Sequence, residues 1–364
     1  MRHQEPSALF ISANGTGRGH LVRQIAVASK LRYLRPVFVT MSYAAKLVEE
    51  FGFPLIYFPH HDLTNENSDK WNRNLTNELE SVIKNFNVKS IVYDVNFVFD
   101  GIIDILRSRE YLNSIWIRRA MWPDAHSSYL GARVHFDTII EPMELAGSED
   151  FGPTKTDIEN VKIVPPILWL DPKERLDRAS ARKKLGIPER KTVFALDFHG
   201  SGNDEYEAAR KKVISLLVSN DDCFLIEFCR SSNFSHFDLS EDRYLKVELN
   251  DAFRYSNAWD GAVWRAGYNG FHENLMGCIP TVFIPNNTPS LDLQTTRATW
   301  AAKHEYAAHL PLEANDRLIE AAISNLLDAS WRWKIRENNT QLTQSFSGAQ
   351  GSLAAAEIVE GYTV

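Results

Sequence analysis

Short runs of apolar, β-branched and aromatic residues alternate with longer amphipathic stretches along this chain. A strand buried on both faces reads as a nearly continuous apolar run, and parallel neighbours need crossover connections that are usually helices. The alternation therefore predicts βαβ units and mostly parallel sheets. Predicted strands in the first half are 8–13, 36–41, 54–59, 90–95, 114–118 and 137–142; in the second half they are 192–198, 223–228, 244–249, 261–264, 281–285 and 306–310. Each half opens alike, with a strand running into a small-residue loop and then a helix: Ala13-Asn14-Gly15-Thr16-Gly17 first, His199-Gly200-Ser201-Gly202-Asn203 second. A chain of 364 residues is long for one hydrophobic core. Two Rossmann-like α/β domains, with parallel sheets facing across a cleft, are expected.

Between the halves, Val164-Pro165-Pro166-Ile167 is a stiff extended segment, followed by Asp171-Pro172 and a predicted helix over 175–185 stopped by Gly186. The expected domains are 1–166 and 167–346, with an alanine-rich helix in 347–364 packing back across the boundary toward the first domain. The polar, asparagine-rich segment 62–77 reads as a long loop or irregular helix over the first domain, the kind of connection that carries ligand contacts.

Composition narrows the partners. A formal net charge of −7 opposes nucleic-acid binding, which needs a basic surface. No apolar stretch approaches the roughly 20 residues that cross a bilayer, and the first residues lead straight into a strand, so a cytoplasmic protein is expected. Peripheral membrane contact stays open. Cys223 and Cys229 lie on one predicted strand about 20 Å apart, beyond disulfide reach, and with Cys278 they read as core residues.

Open parallel sheets bind ligands outside the carboxyl ends of their strands, so candidate residues are those just after strands. Ser12-Ala13-Asn14-Gly15-Thr16-Gly17-Arg18-Gly19-His20 follows the first. A strand, a glycine-rich turn and a helix N-terminus make an anion-binding corner, because free N–H groups and the positive helix end point at one place. No Gly-Lys-Ser/Thr follows, and the match to Gly-x-Gly-x-x-Gly is partial. His20 stands where turn becomes helix, three residues before Arg23. Asp94 ends the fourth strand, and Arg118 and Arg119 follow the fifth. As neighbours on an extended segment these arginines point oppositely, so at most one faces the ligand while the other pairs elsewhere. In the second half, Trp264-Arg265-Ala266-Gly267-Tyr268-Asn269-Gly270-Phe271-His272-Glu273 makes a second phosphate site, with Glu273 placed to accept hydrogen bonds from ribose hydroxyls. His60-His61-Asp62 reads as a solvated loop, so no metal ligands are assigned.

The order strand, Arg265-x-Gly267, Glu273, Gly277-x-x-Pro280, buried strand ending at Pro285, then Asp292-x-Gln294 resembles the donor-site signature of GT-B glycosyltransferases. In pattern it is most similar to the enzymes that add N-acetylglucosamine to the undecaprenyl-linked peptidoglycan precursor, a family 28-like group. The loops at Gly15–His20 and His199–Gly202 resemble that group's two glycine loops. The resemblance implies an inverting glycosyltransferase with a nucleotide-sugar donor, taken as a uridine diphosphate sugar because the resembled families use it, and no cofactor. It implies donor contacts from Gly17, Ser201, Arg265, Gly267, Asn269, Gly270, Glu273, Asp292 and Gln294. Acceptor contacts fall to Asn14, Arg18, Arg118 and Arg119. Where those enzymes carry Glu-Gln-Asn this chain has Arg118-Arg119-Ala120, which implies a different and acidic acceptor.

Displacement at an anomeric carbon needs a base for the acceptor hydroxyl and a positive setting for the departing diphosphate. His20 is the candidate base, with Asp94 as base or as its orienting partner. No Asp-x-Asp occurs in the chain, so helix N-termini and Arg265 are expected to act without a metal. His20-Leu21-Val22-Arg23 also resembles the opening of nucleotide-sugar hydrolases of the pseudaminic acid pathway, which pass the sugar to water. Hydrolysis with His20 activating water is the alternative activity; a 2-epimerase or a non-catalytic sugar-nucleotide sensor are weaker readings.

Overall fold

The computed structural model describes residues 5–13, 18–109, 111–198, 204–229, 240, 242–288, 291–344, 346 and 350–361. The chain divides into two compact units, Met1–Leu168 with Ala349–Val364, and Trp169–Gly348.

The first unit runs β1 (Ser7–Ser12), α1 (Gly19–Ala28), β2 (Arg35–Thr40), α2 (Lys46–Glu50), β3 (Leu55–Tyr57), α3 (Ser68–Asn85), β4 (Val88–Tyr93), α4 (Asp100–Ser108), β5 (Asn113–Ile117), β6 (Thr138–Pro142) and β7 (Val161–Val164). Its seven strands form one sheet in the order β3-β2-β1-β4-β5-β6-β7, and every pairing is parallel. All six residues of β1 are buried, as covering helices on both faces require.

The second unit runs α5 (Arg178–Leu185), β8 (Thr192–Leu196), α6 (Asp204–Val218), β9 (Cys223–Phe228), β10 (Tyr244–Val247), β11 (Gly261–Trp264), α7 (Tyr268–Met276), β12 (Thr281–Phe283), α8 (Gln294–Lys303), β13 (Ala308–His309), α9 (Asp316–Leu327) and α10 (Ala329–Gln344). Its six-stranded sheet has the order β10-β9-β8-β11-β12-β13, again wholly parallel. In both sheets the strand order reverses beside the first strand, between β1 and β4 and between β8 and β11, the kind of point at which open parallel sheets hold ligands.

The last helix, α11 (Gln350–Val359), returns to the first unit and packs on α1 and β7. Gly351 makes this possible: a Cβ there would lie 2.1 Å from the Pro165 carbonyl oxygen and 2.4 Å from that of Pro166. Beyond the helix, the Glu360 carboxylate accepts from the N–H groups of Arg32, Tyr33 and Leu34.

Three local expectations are corrected. The segment 62–77, expected as a long loop or irregular helix, is mostly regular helix: a short 3-10 turn at His61–Leu63 precedes α3. Asn67 caps that helix by accepting from the Lys70 N–H at 2.8 Å, and Trp71, Leu75, Leu79 and Val82 form its buried stripe. β7 was not expected, because as an edge strand it exposes Lys162 and Ile163 and lacks the apolar run of an inner strand. α5 begins at Arg178, where Asp177 accepts from the Ser180 N–H; residues 172–174 form a separate 3-10 turn. Gly186 ends α5 with φ +68, a left-handed conformation natural to glycine. The three cysteines are free.

Candidate functional site

In the first unit, side chains converge at the point where the sheet reverses. Asp94 follows β4 directly, and its N–H donates to the Ile11 carbonyl of β1 at 3.1 Å. Gln24 of α1 donates to the Ile11 carbonyl at 2.8 Å and the Val92 carbonyl at 3.1 Å, which fixes α1 above both strands. One turn earlier on that helix, His20 places Nδ1 2.7 Å from Asp94 Oδ1. Arg23 donates from Nε to Asp94 Oδ2 at 2.8 Å and from Nη2 to Oδ1 at 2.6 Å.

All three side chains are buried, with Asp94 fully so and His20 6 % exposed. Burial alone would raise the Asp94 pKa, but Arg23 and His20 outweigh it and hold the carboxyl below its ordinary range. A carboxylate only accepts, so Nδ1 carries the proton it shares with Asp94 and Nε2 keeps its lone pair. Burial pushes the His20 pKa down; Asp94 opposes that, while Arg119 and Arg23 add to it. The result is a neutral imidazole with one basic nitrogen, the form a general base needs.

Arg118 and Arg119 differ as neighbours on an extended segment should. Arg118 is 1 % exposed. It donates to Glu141 at 2.9 Å, to the Asp157 carbonyl at 2.7 Å and to the Asp157 carboxylate, so it is committed to an internal acidic pair. Arg119 is half-buried and acts electrostatically on both His20 and His126. Arg18, half-buried, precedes α1 and accepts through its carbonyl from the Val22 N–H. Asn14, Gly17 and Ser201 lie outside the described residues.

The second unit repeats the placement with different chemistry. Asp197 follows β8, and its N–H donates to the Val263 carbonyl of β11 at 3.0 Å. Arg265 follows β11 with Nη2 3.6 Å from Asp197 Oδ2 and about a quarter of its side chain exposed. Its buried Nε has no hydrogen-bond partner among the described residues. Gly267 is the N-cap of α7, with ordinary extended φ and no side chain supplying a cap. A Cβ on Gly267 would make only an ordinary 3.7 Å contact with Gln294. At Gly270, by contrast, a Cβ would come 2.5 Å from the Trp264 indole nitrogen, so packing itself demands the glycine. Asn269 and Glu273 are half-buried on the same helix.

Asp292 and Gln294 come against the same turn. Gln294 accepts from the Asn286 N–H at 3.1 Å. Asp292 is ion-paired to the fully buried Arg297, which also reaches the Ala266 carbonyl at 3.3 Å. The structure thus gathers Arg265, Gly267, Asp292 and Gln294, and it adds Asp197 and Arg297, which sequence reasoning passed over. Asp197 was hidden as the end of a predicted strand. Arg297 lies one helical turn past Gln294, a spacing that was available.

Among the described residues, one group of side chains has metal-ligand atoms within 4.8 Å of one another: His60, His61 and Asp62. The imidazoles pack against Trp71 and Phe99, with His61 centred 5.7 Å from Trp71 and His60 5.8 Å from Phe99. His60 is half-buried there, and His61 and Asp62 are exposed.

No protein-family model matches the chain, and no curated protein matches it. Solved structures do. The spinosyn forosaminyltransferase SpnP is 10 % identical with a TM-score of 0.70, over 98 % of each chain. Os79 from O. sativa, solved in complex with UDP, is 14 % identical with a TM-score of 0.68, over 98 % of this chain and all of that one. Acinetobacter baumannii MurG is 11 % identical with a TM-score of 0.63, over 98 % of this chain and all of that one. At such identities the likeness establishes the fold, which is GT-B with two Rossmann-like halves.

Proposed function

We propose that this chain is a glycosyltransferase that moves a sugar from a nucleoside diphosphate donor, a uridine diphosphate sugar first among candidates, to a hydroxyl acceptor. The observation that carries the reading is the buried Asp94–His20 pair, which occupies Nδ1 and leaves Nε2 as the basic nitrogen of the ring. Neighbours of the same fold include glycosyltransferases, one of them solved with UDP.

In the proposed reaction the acceptor hydroxyl gives its proton to His20 Nε2 as its oxygen attacks the anomeric carbon. The bond from that carbon to the diphosphate oxygen breaks, and the nucleoside diphosphate leaves with the electron pair. A single displacement inverts the anomeric centre. The leaving charge falls to Arg265 and the N-terminus of α7, an arrangement that asks for no metal. Gly267, which packing does not require, supports close approach of a phosphate to backbone N–H groups. Glu273 would take ribose hydroxyls, and Asp292 and Gln294 the sugar, with Ser201, Gly17, Asn269 and Gly270 completing the donor contacts. Arg119 and Arg18, with Asn14, would meet an anionic acceptor; Arg118, held by Glu141 and Asp157, would support that segment.

The test incubates the purified chain with chelator and a panel of nucleotide sugars, following thermal stabilisation and nucleoside diphosphate release. Stabilisation by one donor, with release only when an acceptor is added, is expected. His20→Ala should cut turnover by about 10²–10⁴-fold while leaving donor-dependent stabilisation intact. Rapid release without acceptor would replace transfer by hydrolysis. No response to any donor would remove the reading.

A further inference from the structure

The pair at the first sheet's reversal is in fact a triad, and its third member is unusual. An isolated His–Asp pair raises the imidazole pKa, because the carboxylate favours the charged ring. Here both oxygens of Asp94 are also gripped by Arg23 in a two-point clamp, from Nε at 2.8 Å and Nη2 at 2.6 Å. The same Nη2 stands 3.2 Å from His20 Nδ1. Because Nδ1 is a donor toward Asp94, it has no lone pair for that guanidinium nitrogen, so the contact is between two positive hydrogens' carriers with the Asp94 oxygen between them.

We propose that Arg23 is a positioning residue for catalysis: by bridging both carboxylate oxygens it fixes Asp94 Oδ1 against His20 Nδ1 and offsets part of the Asp94 charge, leaving Nε2 as the nitrogen that serves as the base.

Two geometric facts support this. The clamp is bidentate and 2 % exposed, so Asp94 cannot turn to present another edge without breaking both bonds in a dry setting. And His20 and Arg23 are three residues apart on α1, one face of one helix, itself tied by Gln24 to both strands that carry the site. The charged groups acting on His20 are all from these surroundings: Asp94 after β4, Arg23 on α1 and Arg119 after β5. Burial is the largest influence on the ring and favours its neutral form; Asp94 opposes it, and Arg119 and Arg23 add to the burial. The consequence is a base that stays competent below the pH at which an ordinary His–Asp pair would be protonated. This rests on the reading of His20 as the base, but the structural part stands without it.

The test is nitrogen-15 and carbon-13 NMR of histidine-labelled full-length protein, assigned with His20→Gln and titrated without substrate. Wild type should show Nδ1 protonated and Nε2 unprotonated at pH 7, with a midpoint below 6.5. In Arg23→Gln the midpoint should rise, since a nearby positive charge is lost and Asp94 is unmasked. Arg23→Lys, which retains the charge, should restore most of the wild-type midpoint. In parallel, the acid limb of kcat/KM should move to higher pH in Arg23→Gln by the same amount. A wild-type His20 that titrates at or above 6.5, or that carries its proton on Nε2, overturns the proposal even if Arg23→Gln fails to fold. So does a folded Arg23→Gln whose midpoint is unchanged. If the NMR shifts appear while no nucleotide sugar is turned over, the triad stands and the assigned activity falls.

Discussion

Gly351→Ala sets two known effects of opposite sign against each other. Alanine inside a helix is favoured over glycine by about 1 kcal/mol, because it has less backbone freedom to lose. At this position, however, the new methyl would sit 2.1 Å from the Pro165 oxygen, 2.4 Å from the Pro166 oxygen and 2.7 Å from the Pro166 carbonyl carbon. Ordinary carbon–oxygen contacts lie at about 3.3–3.6 Å, so the start of α11 must retreat by more than an ångström. The obstacle is backbone, flanked by two prolines, and it cannot rotate away as a side chain would. α11 buries Ser352, Ala355, Ala356 and Val359 against the first unit, and a radial gap of about 0.5–1 Å already forfeits a quarter to a half of a contact's dispersion energy. Overpacking of this kind costs about 1–3 kcal/mol, more than the propensity gain. Thermal unfolding should show the first unit's transition lowered by several degrees, at about 2–4 °C per kcal/mol for a unit of this size, with Gly351→Val worse. A Gly351→Ala protein as stable as wild type, or more so, would show that the helix is not pinned to 165–166 and would refute the packing argument.

Acid should weaken the first unit through two groups acting in one direction. His20 is depressed below its ordinary value, so its neutral form contributes stability that is full above about pH 6.5 and is lost as pH falls toward its folded value; Asp94 is likewise depressed, and its contribution is lost at lower pH still. Melting temperature followed from pH 7.5 to 4 should therefore fall less steeply near pH 6 in His20→Gln than in wild type, and parallel curves would contradict the assignment. Arg265→Ala should weaken nucleoside diphosphate binding by about 10–100-fold in calorimetry, with His20 titration unaffected; unchanged affinity would remove Arg265 from the anion site. Asp292→Ala should destabilise the second unit by about 3–5 kcal/mol, because it leaves the buried Arg297 charge without its ion pair. If denaturant unfolding shows no such loss, Asp292 is free to serve a ligand alone.

The architecture was legible because inner strands of parallel sheets announce themselves: β1, β4, β8 and β9 are short, nearly continuous apolar runs. Elements that face solvent on one side were not. β7 hides its strand character behind exposed Lys162 and Ile163, and α3 hides its helical stripe behind ten or more polar residues, although Asn67 followed by Trp71, Leu75 and Leu79 was there to be read. At the candidate site the sequence named residue types but not commitments. That Arg23 is spent on Asp94, 71 positions away, and that Arg118 is spent on Glu141 and Asp157, are products of the fold. Periodicity carries no information about such pairings, since they depend on which strand ends the sheet order places side by side.

That dependence also explains why two units with the same strand order present opposite chemistry. Each puts one carboxylate just after a strand beside the reversal and anchors it by an N–H to the neighbouring strand, Asp94 to Ile11 and Asp197 to Val263. In the first unit the arginine meets its carboxylate at 2.6 and 2.8 Å through two hydrogen bonds, and burial holds the neighbouring imidazole toward its neutral form. In the second the arginine stands 3.6 Å from its carboxylate, beyond hydrogen-bond length, with Nε buried and unmatched among the described residues. A buried donor left unmade costs about 1–3 kcal/mol, and an anionic oxygen arriving at Arg265 recovers it. On the proposed reading, the first reversal point would supply a base and the second would attract an anion. Those are the two roles that displacement at a glycosyl diphosphate divides between acceptor and leaving group.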